Sequence, residues 1–201
     1  MSTLPLFRQM LGEDAWHRLA PVVRRHYDLC ADSADSLVLH GVMDSVDCAF
    51  WVQPWLWLAH WFKALVPYQG RDVAVEVRNW TDPTVPDALF WRRTFHFSGE
   101  RTALFESRME PGRAGEVVEL LRFGIGIRLH IAEQNGALLF RADSHCWKIG
   151  RRLLNIPNWA LLGDAVIVES PLSATELQLN FSIVHPWFGR TFGYCGRFRL
   201  P

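Results

Sequence analysis

The sequence predicts an α+β fold in one domain, with N-terminal helices followed by a large, curved antiparallel meander sheet. Apolar residues recur every three to four positions before residue 35, and at every second position from residue 72 onward. Turn-rich segments such as TDPTVPD and PGRAG separate the alternating stretches. The 201 residues, 49% of them hydrophobic, suffice for one substantial core. We therefore predict a single domain, 1–201, with N-terminal helices in 1–35 and a helix-plugged antiparallel sheet in 36–201.

Two or three short helices are predicted before residue 30. Gly12 ends the first of them, and Pro21 either divides the next or begins its second part. The apolar residues at helical spacing are Leu6, Met10, Leu11, Trp16, Leu19, Val22, Val23 and Tyr27.

A tryptophan-rich helix is predicted next, after a first strand. The stretch Phe50–Val66 (FWVQPWLWLAHWFKALV) holds four of the ten tryptophans. Pro54 suits a first helical turn, and Pro67 forbids much continuation. A helix that is apolar on nearly every side is buried or seated at a membrane surface. Its polar residues make it a poor membrane span but leave peripheral contact open; these are Gln53, His60 and Lys63.

About ten strands follow from the alternating pattern, and so many consecutive strands favour a barrel or half-barrel. We expect the tryptophan-rich helix to pack in or over its concave side. The predicted strands are Ser36–Val46, Val73–Trp80, Leu89–Phe97, Arg101–Met109, Glu116–Phe123, Ile125–Glu133, Ala137–Trp147, Ala165–Ser170, Thr175–Val184 and Thr191–Leu200.

The sharpest local prediction is a type I′ hairpin turn at Asn135-Gly136, because both residues tolerate positive φ. Counting back from this turn places Arg128 opposite Asp143 and Gly126 opposite His145. One strand face would then be apolar. The other would carry a polar set, namely Arg128, His130, Arg141, Asp143 and His145.

Composition excludes several classes of function. The 21 Lys and Arg residues balance the 21 Asp and Glu residues, so no basic surface recruits nucleic acid. The four cysteines are scattered without a CxxC pair, which indicates a reducing, cytoplasmic compartment and no structural zinc. HxxxH, HxH, GxSxG and Gly-rich phosphate-loop patterns are absent, so we predict no metal, cofactor or conventional hydrolase site.

Three groups of residues remain as candidate sites. The first is the wall of an apolar pocket, formed by Trp55, Trp57, His60 and Trp61. The second is Arg93, which lies on an otherwise aromatic strand face and needs Glu106 or Glu119 as a buried partner. The third is the polar hairpin face, where Arg128, His130, Asp143 and His145 would form an acid–base site or merely a solvated outer surface.

The order of several short motifs resembles an uncharacterised bacterial family, domain of unknown function 4166. The resemblance extends over almost the whole chain, although the tryptophan-rich segment is richer in tryptophan than expected of the family. It is carried by LGEDAWHRLAPVVRRHYDL with His26, by His40-Gly41, by Pro67, Gly70, Val73, Val75 and Val77, by Trp91-x-Arg93-x-Phe95, by Glu119 with Phe123-Gly124, and by Phe188-Gly189 with Tyr194-x-Gly196.

The resemblance implies no known activity. Members of the family also occur fused to saccharopine-dehydrogenase-like oxidoreductases, so an oxidoreductase partner of this chain would act in trans. We expect a non-catalytic binding module for a small apolar or amphipathic, lipid-like ligand, held between the tryptophan-rich helix and the sheet. One alternative is an accessory interaction or oligomerisation domain, with a second copy or an oxidoreductase as partner. A second alternative is an enzyme that uses the polar hairpin face.

Overall fold

The structure, a computed structural model, describes residues 4–30, 36–54, 56–57, 66–85, 87–150 and 152–201. Short helices come first and strands follow, in the predicted order. The described helices are α1 (Leu6–Leu11), α2 (Glu13–Arg18) and α3 (Pro21–Tyr27). The described strands are β1 (Ser36–Cys48), β2 (Gly70–Thr81), β3 (Leu89–Phe97), β4 (Arg101–Pro111), β5 (Glu116–Leu120), β6 (Ile125–Gln134), β7 (Ala137–Ile149), β8 (Arg152–Ile156), β9 (Asp164–Pro171), β10 (Glu176–His185) and β11 (Gly189–Arg199).

The strands form a closed antiparallel barrel. Strands β1 to β7 pair in sequence, β7 pairs with β9, and β9, β10 and β11 pair in sequence. Strand β11 then pairs with β1 and closes the ring. Among the described strands, β8 pairs with β7 alone, so ten of the eleven make up the ring. The predicted barrel-like sheet is confirmed, and closure removes the edges that an open sheet would expose.

Alternation along each strand sorts residues between the inside and the outside of the barrel. On β2, for example, Val73, Val75 and Val77 are buried while the residues between them are exposed. Strand β3 has the bounds predicted from the sequence and places Trp91, Arg93 and Phe95 inside. The inner face is therefore apolar and aromatic with a few charged exceptions.

Two glycines allow the strands that close the ring to approach each other. A Cβ atom on Gly41 of β1 would lie 2.3 Å from the backbone oxygen of Arg197 on β11. A Cβ atom on Gly196 of β11 would likewise lie 2.6 Å from the oxygen of Val42. Both distances are too short for a side chain, so glycine permits this close contact between the first and last strands.

The N-terminal helices pack at one end of the barrel, which we call the helix end. The Phe7 ring contacts Tyr27 at 4.1 Å and Phe140 of β7 at 5.8 Å, and Tyr27 contacts Trp91 of β3 at 5.8 Å. Ala20 donates a backbone hydrogen bond to the oxygen of Gly136 in the β6–β7 turn. The sequence predicts that the tryptophan-rich helix plugs the barrel. At this end the barrel is plugged by α1–α3 instead.

The tryptophan-rich segment connects β1 to β2 at the opposite end of the barrel, which we call the tryptophan end. Val46 of β1 pairs with Gly70 of β2 at this end. Phe50–Val52 form a single 3-10 turn, and the described positions 53, 54, 56 and 57 are helical. Val52 and Leu56 are fully buried in the main core. The rest of the predicted helix lies outside the described residues, so a full-length helix over the concave side is not confirmed.

The β6–β7 hairpin turns where the sequence predicts it. Asn135 and Gly136 have φ values of 52° and 83°, and Gln134 pairs with Ala137. The predicted pairing continues to Leu129 opposite Ala142 and then fails, because a bulge shifts the register by one residue. Beyond the bulge Arg128 pairs with Ser144 rather than Asp143, and Gly126 pairs with Cys146 rather than His145.

Within the described residues, no helix has the length and apolarity needed to cross a membrane.

Candidate functional site

The centre of the barrel holds a buried ion pair between Arg93 of β3 and Glu119 of β5. Arg93 Nη1 lies 3.3 Å from Glu119 Oε1, and Ser107 Oγ of β4 donates a 2.6 Å hydrogen bond to the same carboxylate oxygen. The guanidinium carbon is 4.3 Å from the Trp91 ring and 4.6 Å from the Phe105 ring, which adds cation–π attraction. Of the two carboxylates predicted as partners for Arg93, Glu119 is the one that pairs with it.

Glu106, the other predicted partner, lies on the opposite face of β4. It pairs there with Arg92, whose Nε is 2.8 Å from Glu106 Oε1. Adjacent residues of a strand point to opposite faces, so Glu106 follows Arg92 to the outside while Ser107 and Arg93 share the inside. Glu106 therefore does not belong to the interior cluster.

A second polar cluster lies between the helix end and the centre, and the candidate sites predicted from the sequence did not include it. His26 of α3 places Nδ1 2.9 Å from Glu169 Oε2 of β9, and its Nε2 lies 2.9 Å from Asn79 Nδ2 of β2. In this amide orientation Asn79 donates, so Nε2 accepts and the ring proton on Nδ1 is donated to Glu169.

The alternation pattern carried a signal for this cluster. Residues Ala165, Ile167 and Glu169 alternate on one face of β9, and Asn79 continues the inward series of valines on β2. A charged or amide residue at an inward position needs a buried partner. His26 was singled out only as part of the family resemblance, because nothing local indicates a partner 143 residues away.

A small cavity lies between the two clusters. Its volume is about 20 Å³, enough for one or two water-sized groups. The polar lining is His26, Trp91, Arg93 and Glu169, and the apolar lining comes from strands β1, β2, β10 and β11. Nearly all of the surface that faces the cavity is apolar, so the charged atoms of these side chains point away from it.

Two buried polar atoms in this region make no hydrogen bond within the described structure: Asn79 Oδ1 and Trp91 Nε1. Buried polar groups without partners are rare in folded proteins. The His26 ring contacts the Trp91 ring at 5.4 Å, and His26 Nε2 bonds to Asn79, so both atoms lie close to His26.

The tyrosines around the centre respond to burial and to the two carboxylates. Burial raises the pKa of Tyr194 to about 12, and Glu119 and Glu169 add to the effect while Arg93 opposes it. The pKa of Tyr27 is raised well above its ordinary value, by burial first and by Glu169 second. Both phenols remain protonated at neutral pH.

An aromatic path leads from the tryptophan end into the interior. Trp57 is 47% exposed, and its ring meets Tyr68 edge-on at 5.5 Å. Tyr68 contacts Phe97 at 5.4 Å, and Phe97, Phe95 and Tyr194 follow at 6.4 and 6.0 Å. Of the predicted pocket wall, Trp57 thus connects by rings to the centre, whereas Trp55, His60 and Trp61 lie outside the described residues.

Further exposed rings cluster at the same end. Trp159 and Trp187 approach to 5.8 Å, and Phe188 contacts Trp51 at 4.9 Å and His185 at 4.7 Å. His185 is fixed as a neutral imidazole, because its Nε2 is 2.8 Å from the Trp159 oxygen while its Nδ1 accepts from the Trp187 amide. The tryptophan end therefore presents aromatic surface to its surroundings.

The polar hairpin face predicted from the sequence is not assembled. The bulge places Arg128 and His145 on opposite faces, and Arg128 pairs instead with Glu116, Nη2 to Oε2 at 3.1 Å. His145 bonds to Asn158, Nδ1 to Oδ1 at 2.9 Å, and burial lowers its pKa. His130 and Asp143 are exposed. The predicted site fails because one extra residue in β7 separates its members.

Within the described residues, no group of three or more His, Cys, Asp and Glu side chains is placed to hold a metal ion. The four cysteines are free.

When the sequence is compared with models of known protein families, most of the chain matches one of them. The family model named Domain of unknown function (DUF4166) matches residues 19–198. The chain belongs to this family. Curated proteins give no match to it. The matched part of the DUF4166 chain contains both interior clusters and Trp57, so the barrel, its polar centre and its aromatic path all fall within the family domain.

Proposed function

We propose that this protein is a non-catalytic binding module for a small apolar or amphipathic, lipid-like ligand. The ligand is held between the tryptophan-rich segment and the sheet, with its polar end toward the centre of the barrel. The observation that carries the proposal is the combination of a closed barrel, an aromatic path from Trp57 to Tyr194, and a polar centre with unpartnered atoms.

Barrel width supports this proposal. Eight strands already enclose enough space for one small ligand, and diameter grows with strand number. In this ten-stranded ring the interior is occupied by aromatic side chains and by the N-terminal helices. The cavity of about 20 Å³ holds only one or two water-sized groups, so the rest of a ligand needs space that side chains now fill. An alkyl tail enters by displacing rings along the aromatic path.

Native mass spectrometry of freshly purified protein, followed by titration with the neutral apolar dye N-phenyl-1-naphthylamine, tests the proposal. We expect a retained small molecule or saturable dye binding. Trp57→Ala should weaken dye binding severalfold because it removes the first ring of the path. Trp147→Ala is the matched control, since Trp147 is 45% exposed against 47% for Trp57 and lies off the path. A clean apo mass together with no saturable dye binding would refute the proposal.

A second candidate function is self-association. Strand β8 pairs with β7 along one edge, and its other edge has no strand partner in the described structure. The β7–β8 ribbon also exposes Trp147, Ile149 and Leu154. Free edges and exposed apolar side chains both favour pairing with another chain, and we propose a second copy as the occupant. An oxidoreductase acting in trans, or peripheral contact with a membrane, is the alternative.

Sedimentation velocity at several protein concentrations tests this second function. We expect a concentration-dependent dimer that Leu154→Arg converts to monomer without loss of fold. An exposed substitution on another strand, His96→Arg on β3, is the control. A monomer at all concentrations would exclude the second copy and leave the other two occupants for pull-down and vesicle-flotation experiments.

A further inference from the structure

We propose that a groove on the outside of the barrel binds the phosphate group of a phosphate monoester. This groove, which we call the arginine groove, lies near the helix end, where β1 begins and β2 ends. It has a volume of about 330 Å³ and is open to solvent. Its lining residues are Ser36, Arg78, Trp80, Thr81 and Arg92. The groove is separate from the barrel interior, so this site is independent of the function proposed above.

Two arginines concentrate positive charge at the groove. The β2–β3 register places Arg78 directly opposite Arg92, and both side chains are exposed. Like charges in directly opposite positions destabilise a sheet. Arg92 donates from Nε to Glu106 at 2.8 Å, which leaves its two terminal nitrogens for another acceptor. An anion between the two guanidinium groups would relieve their repulsion.

Arg78 carries the charge that the protein does not balance. In the described structure it forms no ion pair or hydrogen bond, although Glu76 lies two residues away on the same strand face. None of the described residues that line the groove is a carboxylate. The groove therefore presents a free guanidinium group to an anion from solution.

Trp80 gives the groove a fixed aromatic wall. The guanidinium carbons of Arg78 and Arg92 lie 6.0 Å and 5.7 Å from the centre of its ring. Phe90 stacks with the same ring at 5.5 Å, with an angle of 16° between the two planes. These contacts hold both guanidinium groups beside one ring. The side chains consequently lose less freedom when a ligand binds.

These features match a phosphate monoester better than a carboxylate. A phosphate monoester carries up to two negative charges and three oxygens that accept hydrogen bonds strongly. Three oxygens can serve two guanidinium groups, whereas the two oxygens of a carboxylate match the fork of one. Polar and apolar atoms contribute about equally to the surface of the groove, so Trp80 is available to the organic part of the ester. The volume is in the range of small-molecule sites.

Isothermal titration calorimetry of the full chain at pH 7.5, in a buffer without phosphate, tests the site. The probes are phenyl phosphate, inorganic phosphate, benzoate and benzyl alcohol. We expect saturable binding of phenyl phosphate, severalfold tighter than inorganic phosphate because of the contact with Trp80. Benzoate should bind about tenfold more weakly than phenyl phosphate, and benzyl alcohol should not bind. Absence of saturable phenyl phosphate binding, or equal affinity for benzoate, overturns the proposal.

Substitutions connect the binding to the groove. Arg78→Gln should weaken phenyl phosphate binding about tenfold or more, because it removes a charged donor. Arg71→Gln is the matched control, since Arg71 is an exposed arginine of the same strand that does not line the groove. Its affinity should be unchanged, and equal losses in the two variants overturn the proposal. Both residues are exposed, and circular dichroism checks that each variant folds.

The phosphate group can belong to a soluble ester or to the headgroup of a lipid. Flotation with vesicles of phosphatidylcholine, with and without phosphatidic acid, distinguishes these sources. Flotation that requires phosphatidic acid and is lost in Arg78→Gln supports the groove as a headgroup site. Phenyl phosphate binding without flotation supports the groove as a site for a soluble ester. Flotation that Arg78→Gln leaves unchanged overturns the assignment of the headgroup to this groove.

Discussion

The Arg93–Glu119 pair offers a direct test of how the barrel tolerates charge at its centre. We consider Arg93→Met, which keeps an unbranched apolar stem and removes the guanidinium. Glu119 would retain the hydrogen bond from Ser107 but lose its only described cation. Breaking a buried pair from one side costs about 3–5 kcal/mol. Loss of the contacts with the Trp91 and Phe105 rings adds on the order of 0.5–1 kcal/mol each.

Removing both charges should cost less than removing one. In the double variant Arg93→Met with Glu119→Gln, no charge is left unpaired in that cluster, and Ser107 keeps an amide oxygen as its acceptor. Buried ion pairs replaced by neutral groups of similar volume are often close to neutral in stability. We therefore expect the double variant to recover about 2 kcal/mol or more relative to Arg93→Met.

Urea unfolding followed by circular dichroism and tryptophan fluorescence measures the free energies of unfolding of four proteins: the wild type, Arg93→Met, Glu119→Gln and the double variant. The mutational cycle gives the coupling energy between the two side chains directly. A cost below about 1 kcal/mol for Arg93→Met, or strictly additive effects in the double variant, would refute the reasoning. Either result would mean that Glu119 is solvated or protonated in the folded protein.

Two further predictions concern stability. The pKa of Tyr194 is raised from 10 to about 12, so its protonated form stabilises the fold below pH 10. This contribution of about 3 kcal/mol is lost as the pH rises from 10 to 12. In Tyr194→Phe the free energy of unfolding should therefore fall less steeply with pH over this range. Gly41→Ala should destabilise the fold by about 2–3 kcal/mol, because the new methyl group meets the backbone of β11. Gly99→Ala, in open space with positive φ, should cost only about 1 kcal/mol. Equal shifts in melting temperature for the two variants would contradict the close approach of β1 and β11.

Much of the fold is encoded locally and was predictable. Period-two alternation gave strand β3 with its observed bounds, and Asn135-Gly136 fixed the β6–β7 turn because few residue pairs tolerate two positive φ angles. The sequence does not predict strand β8, because its five residues, RLLNI, show no clear alternation. The bulge between Arg128 and Leu129 was also missed, since one additional residue leaves no compositional trace.

The site was less predictable than the fold, because its contacts join distant parts of the chain. Arg93 was identifiable from a charge on an aromatic face, and its partner could be narrowed to two glutamates. The sequence does not single out His26 as buried, since an imidazole on a short helix is common on surfaces. The alternation on β9 indicates an inward position for Glu169 but does not identify its partner. Only the barrel's closure brings them together.

Closure of the barrel requires the first strand of the chain, β1, to pair with the last, β11. His40 pairs with Arg199, a span of 159 residues, whereas most other neighbours in the ring are joined by short turns. Loop closure of that length costs entropy that no local contact repays. We therefore expect the local hairpins to form before β1 pairs with β11. Until that pairing forms, one edge of β1 is unpaired, so we expect a chain truncated before β11 to be prone to aggregation.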